Sequence, residues 1–316
     1  MKDGFGRNIT YLRISLTDRC NLRCRYCMPA EGIEKQSHSD ILSLEEVAEI
    51  AGACAALGVR KIRLTGGEPL LRRGLVGLCR TLSALDGVEE LALTTNATFL
   101  APLAGELNAA GVTRVNISLD TLDPDLYRDL TRGGELADAL DGIRAAAQAG
   151  LGPIKLNAVL LGGINDSEIP ALADLSRRYP VSVRFIELMP VGEGKFLPES
   201  AFLSADTVPA RLPELVYAGR EGVAELYRFP GAPGTVGLIR PVSCSFCSGC
   251  DRLRLTADGF FKPCLHSDTE IPVRGLHGEE LTRAILAAAG AKPAEHPPLL
   301  PGESAERRRT MNQIGG

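Results

Sequence analysis

The sequence predicts an α/β fold made of parallel β/α units. Short runs with strand character alternate with longer segments of helical periodicity that are rich in alanine and leucine. The expected strands cover residues 9–16, 61–65, 90–95, 114–119, 154–161 and 181–187. Six strands separated by helices fit either an open doubly wound sheet or a barrel, and composition does not choose between them.

Length and composition limit the size and class of the protein. A chain of 316 residues that is 45% hydrophobic is long enough for one large α/β domain, alone or with a smaller appendage. The net charge of −4 argues against a general nucleic-acid-binding protein, although it allows a basic pocket for a phosphorylated small molecule. Nine cysteines, without a signal peptide or an apolar run that could span a bilayer, indicate a cytoplasmic protein without a membrane anchor.

Local signals place the first two helices. Ser43 and Glu46 form a capping box at a helix start, and apolar residues at helical spacing continue from there to Gly58. Cys54 lies on the apolar stripe of this helix, and Cys79 lies on that of the next one. Both thiols are therefore expected in the core and not at a metal site.

Helix signals continue along the chain and then stop. Asp123 is followed by Pro124 at a first helical position, Gly150 ends a helix, and Pro180 follows another. Residues 190–240 are instead rich in proline and glycine, with one helix expected over residues 207–215. The β/α alternation therefore ends near residue 190.

Three cysteines follow the first strand closely. Cys20, Cys24 and Cys27 offer soft thiolate ligands on one short loop. A cubane iron–sulfur cluster has four irons, so three cysteines leave one iron open to a small molecule. A zinc site with a distant fourth ligand, or half of a disulfide framework, has the same spacing.

A second group of cysteines lies far along the chain. Cys244, Cys247, Cys250 and Cys264 are too distant in sequence to serve the first centre by local tethering, which implies a separate centre on the far side of the barrel mouth. Four thiols satisfy either an iron–sulfur cluster or a structural zinc.

Charged residues within the strands point to an anionic ligand. Arg13, Arg63 and Lys155 lie on the first, second and fifth strands, where a charge is costly unless it meets an anion. Each alone could point to solvent or pair with a nearby carboxylate. Together they suit a polyanion such as a triphosphate.

The loop after the second strand lies where parallel sheets bind ligands. Gly66 and Gly67 allow a close backbone approach to a ligand, and Glu68 offers an acceptor for an ammonium group. The same run, ending in Pro69, is also a common turn.

The first cysteine motif resembles that of the radical S-adenosylmethionine enzymes. Cys20, Cys24 and Cys27 have the spacing of that signature, and the aromatic Tyr26 precedes the last cysteine. The resemblance implies a [4Fe-4S] cluster whose open iron binds the amino and carboxylate groups of S-adenosyl-L-methionine, which an electron cleaves to a 5′-deoxyadenosyl radical. The residues implied for S-adenosylmethionine are Tyr26, Gly67, Ser118 and Met189.

The second motif is similar to that of a branch of this superfamily that acts on GTP in molybdenum cofactor biosynthesis. The resemblance implies that Cys247, Cys250 and Cys264 hold a second [4Fe-4S] cluster whose open iron contacts guanine. It implies a reaction that joins the ribose to the base. The residues implied for GTP are Arg13, Arg63, Thr94, Lys155, Arg252, Leu253 and Arg254.

The resemblance also favours one architecture. It implies a partial (β/α)6 TIM-type barrel with a C-terminal extension that carries the second iron–sulfur cluster. Residues 1–190 would form the barrel, and residues 191–316 the C-terminal region with the GTP site. The implied partners are an electron donor of flavodoxin or ferredoxin type, a second copy in a homodimer, and cyclic pyranopterin monophosphate synthase as the pathway neighbour.

Three features depart from this pattern or extend it. Cys244 adds a thiol that would close the open iron, and we expect it to be a spectator. Ala97 stands where the family commonly has glycine, which affects only the local turn. The terminal Gly315 and Gly316 would ordinarily be a frayed end, but in the family they reach into the active site.

Two other functions remain open. One is a radical S-adenosylmethionine enzyme that modifies peptides and carries an auxiliary cluster. The other is a non-catalytic metal-binding or electron-transfer protein in which both cysteine sets are structural. Cleavage of S-adenosylmethionine and a substrate screen separate these alternatives from a GTP enzyme.

Overall fold

The computed structural model describes residues 1–33, 37–297, 299 and 309–315. In this part of the chain twelve strands form one sheet. The strands are β1 Tyr11–Ser15, β2 Lys61–Thr65, β3 Glu90–Thr95, β4 Arg114–Ser118, β5 Lys155–Leu160, β6 Ser182–Glu187, β7 Val216–Glu221, β8 Ala224–Arg228, β9 Thr235–Ile239, β10 Arg252–Leu255, β11 Phe260–Lys262 and β12 Ile271–Pro272.

Helices connect these strands. The α-helices are α1 Leu44–Ala56, α2 Leu75–Ser83, α3 Ala104–Ala109, α4 Pro124–Thr131, α5 Leu136–Gln148, α6 Ile169–Arg178, α7 Thr207–Arg211, α8 Gly278–Gly290 and α9 Met311–Ile314. Short 3-10 helices cover His38–Asp40, Pro69–Leu71, Asp166–Glu168, Gly192–Phe196, Glu199–Ala201 and Cys247–Gly249. Nowhere in the described segments is a helix both long and apolar enough to cross a bilayer.

The sheet order confirms the prediction of an α/β fold with parallel strands. Strands β1 to β6 are neighbours in chain order and run parallel. Strand β10 pairs parallel with β1, and β9 pairs parallel with β6, so eight adjacent strands are parallel. Antiparallel strands β11 and β12 continue one edge, and β8 and β7 continue the other. The sheet is open, with β12 and β7 at its two ends.

Strands from the C-terminal region therefore belong to the same sheet as the first six. Strand β10 begins at Arg252, yet its neighbour β1 begins at Tyr11. Pairing across so many residues leaves no local signal in the sequence, which is why these two parallel strands were not predicted. Their positions bring the second group of cysteines beside the first strand.

Local chemistry explains the helix ends. The Ser43 side chain accepts from the Glu46 amide at 3.1 Å, and the Glu46 carboxylate accepts from the Ser43 amide at 2.8 Å, which confirms the capping box. The predicted helix over residues 207–215 was too long, since α7 ends at Arg211. The next residue, Leu212, precedes a proline and leaves the helical region, as residues before proline usually do.

The core lies between the sheet and its helices. Leu12 and Ile14 of β1 and Ile62 of β2 are fully buried, as is Cys54 of α1. Cys79 of α2 is equally buried, so both thiols lie in the core as predicted.

The turn after β3 has a left-handed residue that is not glycine. Ala97 has φ 66°, and its amide donates to the Thr95 hydroxyl at 2.9 Å. The left-handed conformation favours glycine, which explains why glycine suits this position. Here the hydrogen bond and full burial hold alanine in it.

Candidate active site

A cavity of about 290 Å³ is lined by alternate residues of the parallel strands. Because side chains alternate between the two faces of a strand, residues two apart share a face. The lining pairs on the strands are Tyr11 and Arg13, Lys61 and Arg63, Arg114 and Asn116, Lys155 and Asn157, Arg184 and Ile186, and Arg252 and Arg254.

The structure brings most of the predicted GTP residues together at this cavity. Six of them line it, namely Arg13, Arg63, Thr94, Lys155, Arg252 and Arg254. The seventh, Leu253, lies between two of these on β10, and its side chain is fully buried in the core. Only the backbone of Leu253 is therefore suited to contact a ligand in the cavity.

The cavity is strongly cationic. Its lining includes nine arginine and lysine side chains but only two carboxylates, those of Glu221 and Asp251. Such an excess in a protein of net charge −4 favours a polyanionic ligand. Arginine suits phosphate in particular because its planar group donates paired hydrogen bonds.

Crowding of like charges has a clear electrostatic effect. Arg13 lies between Arg63 and Arg254 on neighbouring strands in register. Burial, and then the charge of Arg254, hold the pKa of Arg13 well below its ordinary value. Burial, and then the charge of Arg252, lower the pKa of Arg254 to about 10. A bound anion would relieve this repulsion, so the arrangement favours ligand binding.

Several buried polar atoms at the cavity have unsatisfied hydrogen-bonding capacity. Among the described residues, the Nε atoms of Arg63 and Arg252 have no hydrogen-bond partner, nor do Thr94 Oγ1, Asn116 Oδ1 and Asn157 Oδ1. Buried polar groups in folded proteins are normally satisfied. Both donors and acceptors are open here, which suits a ligand that carries both, as a nucleotide does.

Three cysteines open onto the same cavity. Cys247, Cys250 and Cys264 are half-buried free thiols in its lining. Burial opposes ionisation of Cys250, but the charge of Lys292 and a backbone hydrogen bond outweigh it and lower the pKa of Cys250. Lys292 itself is held by the carbonyls of Arg252 and Pro263, at 2.9 and 3.0 Å. Three thiols around one end of a polar cavity fit a cluster with an iron that faces the ligand.

Cys244 differs from these three. Its side chain is exposed, whereas Cys247, Cys250 and Cys264 are half-buried and face the cavity. Its amide donates to the Arg240 carbonyl at 3.2 Å, within the turn that leads to the cluster loop. This placement supports a spectator role for Cys244.

We expect Cys244→Ala to keep both clusters. Anaerobically reconstituted protein should contain about eight irons per chain, with or without the substitution, and should consume GTP at an unchanged rate. Iron and sulfide analysis on the same samples checks this, with Cys247→Ala as the variant that loses about four irons. Loss of four irons from the Cys244 variant would show a closed, structural second site.

The first cysteine loop lies at the carboxyl end of β1. Cys20, Cys24 and Cys27 are half-buried free thiols. Burial, and then the proximity of Cys20, raise the pKa of Cys27 to about 12, and burial raises that of Cys24 well above its ordinary value. Thiolates in such surroundings need a strong positive partner, and cluster iron is one. The three thiols therefore fit a [4Fe-4S] cluster.

The glycine pair after β2 packs against this loop. A Cβ on Gly66 would lie 2.4 Å from the Thr17 carbonyl oxygen, and one on Gly67 would lie 2.2 Å from that of Arg19. The Gly67 amide donates to the Thr17 carbonyl at 2.7 Å, and the Glu68 amide donates to that of Arg19 at 2.8 Å. The close approach of these glycines is thus to the segment that leads into Cys20.

Glu68 is occupied by the protein itself. Its buried carboxylate accepts from Thr95 Oγ1 and the Asn96 amide, each at 2.8 Å, and from the Leu70 amide at 3.0 Å. Burial raises its pKa to about 7. Glu68 thus joins the loops after β2 and β3, and its role as an acceptor for an ammonium group stays a prediction.

Tyr26 is fixed by a buried carboxylate. Its hydroxyl donates to Asp120 Oδ2 at 2.7 Å, and Asp120 Oδ1 accepts from the Val159 amide at 2.8 Å. Burial raises the pKa of Asp120 to about 6. Ser118 ends β4 two residues earlier, and Met189 lies just beyond β6 and lines the cavity. These residues all lie at the carboxyl ends of strands.

The C-terminal segment reaches the interior. Arg254 Nη1 donates to the Gly315 carbonyl at 2.6 Å, and Asn312 Nδ2 donates to the Asp18 carbonyl at 3.0 Å. Met311 lines the cavity. Gly316 lies outside the described residues, but the segment up to Gly315 lies between the first cysteine loop and the cationic cavity.

Several cavity residues were missed by sequence reasoning. Lys61, Arg114 and Arg184 lie on strands that were correctly predicted. For Lys61 the signal was available, since Lys61 lies two residues before Arg63 on the same strand and the two side chains share a face. Glu221 and Lys292 lie outside the β/α units, and only the tertiary structure brings them here.

Within residues 1–33, 37–297, 299 and 309–315, no group of three histidine, cysteine, aspartate or glutamate side chains is placed to hold a single metal ion. Ligands of one ion converge on one point, whereas the three cysteines of a cubane each bind a different iron.

Comparisons with known proteins agree with this site. Residues 14–176 match the Radical SAM superfamily, and residues 181–298 match Molybdenum Cofactor Synthesis C. The GTP 3′,8-cyclase of Peptoclostridium acidaminophilum is 52% identical over 99% of this chain and 98% of that protein. The GTP 3′,8-cyclase of Alkaliphilus oremlandii is 47% identical, with both chains fully covered.

Solved structures show the same fold at low identity. SuiB from Streptococcus suis, bound to precursor peptide SuiA, is similar with a TM-score of 0.65 at 14% identity, over 92% of this chain and 66% of that one. With two matched regions and relatives of about half-identical sequence over their full length, the chain belongs to the radical SAM superfamily and, within it, to the GTP 3′,8-cyclase family.

Proposed function

We propose that the protein converts GTP to (8S)-3′,8-cyclo-7,8-dihydroguanosine 5′-triphosphate in molybdenum cofactor (molybdopterin) biosynthesis. The observation that carries this proposal is the cavity itself, in which a cationic lining, three open thiols and unsatisfied polar atoms surround one space. A ligand with a polyanionic end and a polar ring complements all three. GTP is such a ligand.

The first cysteine loop would hold the cofactor that starts the reaction. When bound, a [4Fe-4S] cluster at Cys20, Cys24 and Cys27 supplies the electron that cleaves S-adenosylmethionine to a 5′-deoxyadenosyl radical. Tyr26, Gly67, Ser118 and Met189 would bind S-adenosylmethionine at the carboxyl ends of the strands, the usual place for ligands in parallel β/α folds. No side chain has to act as general acid or base.

The cavity residues would position GTP. Arg13, Arg63, Lys155 and the other cations would bind the triphosphate, with Thr94 at the same face. Cys247, Cys250 and Cys264 would hold the second cluster against guanine. Arg252 and Arg254, with the Leu253 backbone, would fix the nucleotide between them. Holding two cosubstrates in a fixed orientation is the main contribution that a protein makes to chemistry of this kind.

The reaction on GTP removes the hydrogen atom from ribose C3′ and joins C3′ to C8 of guanine. One electron and one proton then complete the dihydro ring, so the product is an isomer of GTP. The hydrogen atom taken from C3′ leaves with 5′-deoxyadenosine. A flavodoxin or ferredoxin type donor would supply electrons, and cyclic pyranopterin monophosphate synthase would consume the product.

The remaining assignments follow from the family. We place the protein in the cytoplasm, where this biosynthesis needs reduced clusters, and infer a homodimer. We divide the chain at residue 190, with the radical S-adenosylmethionine barrel before it and the auxiliary cluster after it, although strands β9 and β10 extend the same sheet.

Anaerobic turnover tests the proposal. Reconstituted protein with dithionite, S-adenosylmethionine and GTP should form 5′-deoxyadenosine in step with GTP loss, and mass spectrometry should find a product of unchanged mass. Replacing GTP with a precursor peptide should give no coupled product. Formation of 5′-deoxyadenosine without GTP consumption would reject the cyclase assignment and favour a peptide-modifying enzyme. Failure to cleave S-adenosylmethionine at all would favour the non-catalytic alternative.

A further inference from the structure

One of the two carboxylates that line the cavity, Glu221, lies among its buried cations. Glu221 ends strand β7 and forms ion pairs with Lys155 and with Arg184, the latter at 2.6 Å. Arg114 lies 3.4 Å from the same carboxylate. Within the described part of the chain, Glu221 is the only carboxylate that pairs with Lys155 or Arg184. Arg114 also pairs with Glu90, so a single negative charge neutralises two buried cations, Lys155 and Arg184.

The cations remain incompletely neutralised. Burial, and then the charge of Arg184, lower the pKa of Lys155 to about 8 even though Lys155 pairs with Glu221. Burial also lowers the pKa of Arg184 to about 10. Lys155 is 3% exposed and Arg184 is 8% exposed, whereas Glu221 is 45% exposed. The buried cations therefore attract more negative charge than this half-exposed carboxylate provides.

Glu221 is carried by a peripheral hairpin. Strands β7 and β8 are joined by Gly222 and Val223, and Gly222 has φ 57°, as a tight hairpin turn requires. Strand β7 is the edge of the sheet and is mostly exposed. The hairpin turn lines the cavity next to Lys155, the first residue of β5, so it lies at the amino ends of the strands. This is the end opposite the first cysteine loop.

We propose that Glu221 occupies a phosphate position in the nucleotide-free protein and that the triphosphate displaces it from Lys155 and Arg184. The Glu221 carboxylate then competes with the triphosphate for Lys155 and Arg184, and it pairs with these buried cations until the nucleotide binds. This inference rests on the proposed function, because it assumes that Lys155 binds the triphosphate of GTP.

The exchange favours a highly charged ligand. A triphosphate replaces one carboxylate charge with several, and its oxygens match the paired donors of arginine. Displacement has a cost, since the pairs that Glu221 makes are lost and the carboxylate turns to solvent. A nucleoside without phosphate does not displace Glu221, so its binding does not include the cost of breaking these ion pairs.

Binding of three ligands to Glu221→Gln tests the inference. Full-length protein with both clusters reconstituted is titrated anaerobically with GTP, with inorganic tripolyphosphate and with guanosine. The substitution should tighten binding of GTP and of tripolyphosphate about three- to tenfold, the range expected for a partly exposed charge pair. Binding of guanosine should not change.

Glu225→Gln is the matched control. Glu225 lies on β8 of the same hairpin and pairs with Arg240 and Arg220, outside the cavity lining. Its substitution should leave all three affinities within twofold. Glu221→Asp keeps the charge and should bind GTP like the wild type.

Thermal unfolding gives a second readout. Without ligand, Glu221→Gln should melt below the wild type, because Lys155 and Arg184 lose their partner. Tripolyphosphate should raise its melting temperature more than that of the wild type. Because each protein is compared with its own ligand-free melting temperature, the comparison holds even if Glu221→Gln is less stable than the wild type.

The outcomes separate the two proposals. Equal or weaker binding of GTP and tripolyphosphate to Glu221→Gln, while the wild type binds both, would overturn the displacement and leave the cyclase assignment intact. The wild type could instead bind tripolyphosphate but not GTP, with Glu221→Gln still tightening the binding of tripolyphosphate. That result would reject GTP as the ligand and support displacement of Glu221 by a polyanion.

Discussion

Replacing Gly67 with alanine is expected to remove the first cluster and leave the second. An added Cβ would lie 2.2 Å from the Arg19 carbonyl oxygen and 2.8 Å from that of Asp18. Both are backbone atoms, which cannot swing away as a side chain does. The segment before Cys20 must therefore move, and the hydrogen bond from the Glu68 amide to Arg19 must lengthen or break.

A shift of this size is damaging because cluster ligation depends on exact placement of three thiols on one loop. Reconstituted Gly67→Ala should contain about four irons per chain in place of about eight. Cleavage of S-adenosylmethionine should fall at least a hundredfold, since a displacement of about 1 Å at a reacting centre costs that much. GTP binding at the other end of the cavity should change little.

Gly77→Ala is the matched control. Gly77 lies within α2, where an added Cβ meets nothing within 4 Å. Alanine there should raise stability by up to about 1 kcal/mol, because glycine is the poorer helix former. Iron content and far-UV circular dichroism are measured for both variants. If Gly67→Ala kept about eight irons and full cleavage, the loop would not depend on this contact.

The strands show how far the sequence determines the fold. The observed β2, Lys61–Thr65, and β3, Glu90–Thr95, have the predicted bounds, since in each a short run alternates polar and apolar residues and is followed by turn or helix signals. Strands β9 and β10 were missed. Their places beside β6 and β1 are set by contacts across the whole chain, and nothing near them in sequence encodes a neighbour so far away.

The candidate site was also predictable from the sequence only in part. The family resemblance pointed to Cys247, Cys250 and Cys264, and strand position pointed to Arg13 and Arg63; all five line the cavity. The spacing could not reveal that the three cysteines face the same space as the arginines. Nor could it place Glu221, because its contacts come from a hairpin whose packing is purely tertiary.

Arg309 is expected to anchor the C-terminal segment, residues 309–315, in its position next to the active site. Its guanidinium donates to Asp258 Oδ1 and Oδ2 at 3.0 and 2.8 Å, and to Glu270 Oε2 at 2.8 Å. All three side chains are mostly buried. Two mostly buried carboxylates thus hold Arg309. The residues that follow it enter the interior, where the Gly315 carbonyl accepts from Arg254.

Loss of this anchor should release the segment. Arg309→Ala removes the hydrogen bonds and leaves Asp258 and Glu270 without their shared cation, which disfavours the docked arrangement. Other contacts of the segment include the hydrogen bond from Asn312 to Asp18, worth about 1 kcal/mol, the one from the charged Arg254 to Gly315, worth about 1.5–3 kcal/mol, and the buried side chain of Ile314. We expect GTP consumption to fall roughly tenfold or more, while iron content stays the same.

Carboxypeptidase digestion followed by mass spectrometry reports the release directly. The wild type should resist trimming of its last residues, and Arg309→Ala should be trimmed quickly. Arg211→Ala is the control, because Arg211 also pairs with a carboxylate, Asp166, but on the exposed surface; its loss should have little effect. Slow trimming and full turnover in Arg309→Ala would mean that the interior hydrogen bonds alone hold the segment. Fast trimming with full turnover would mean that docking is not needed for the reaction.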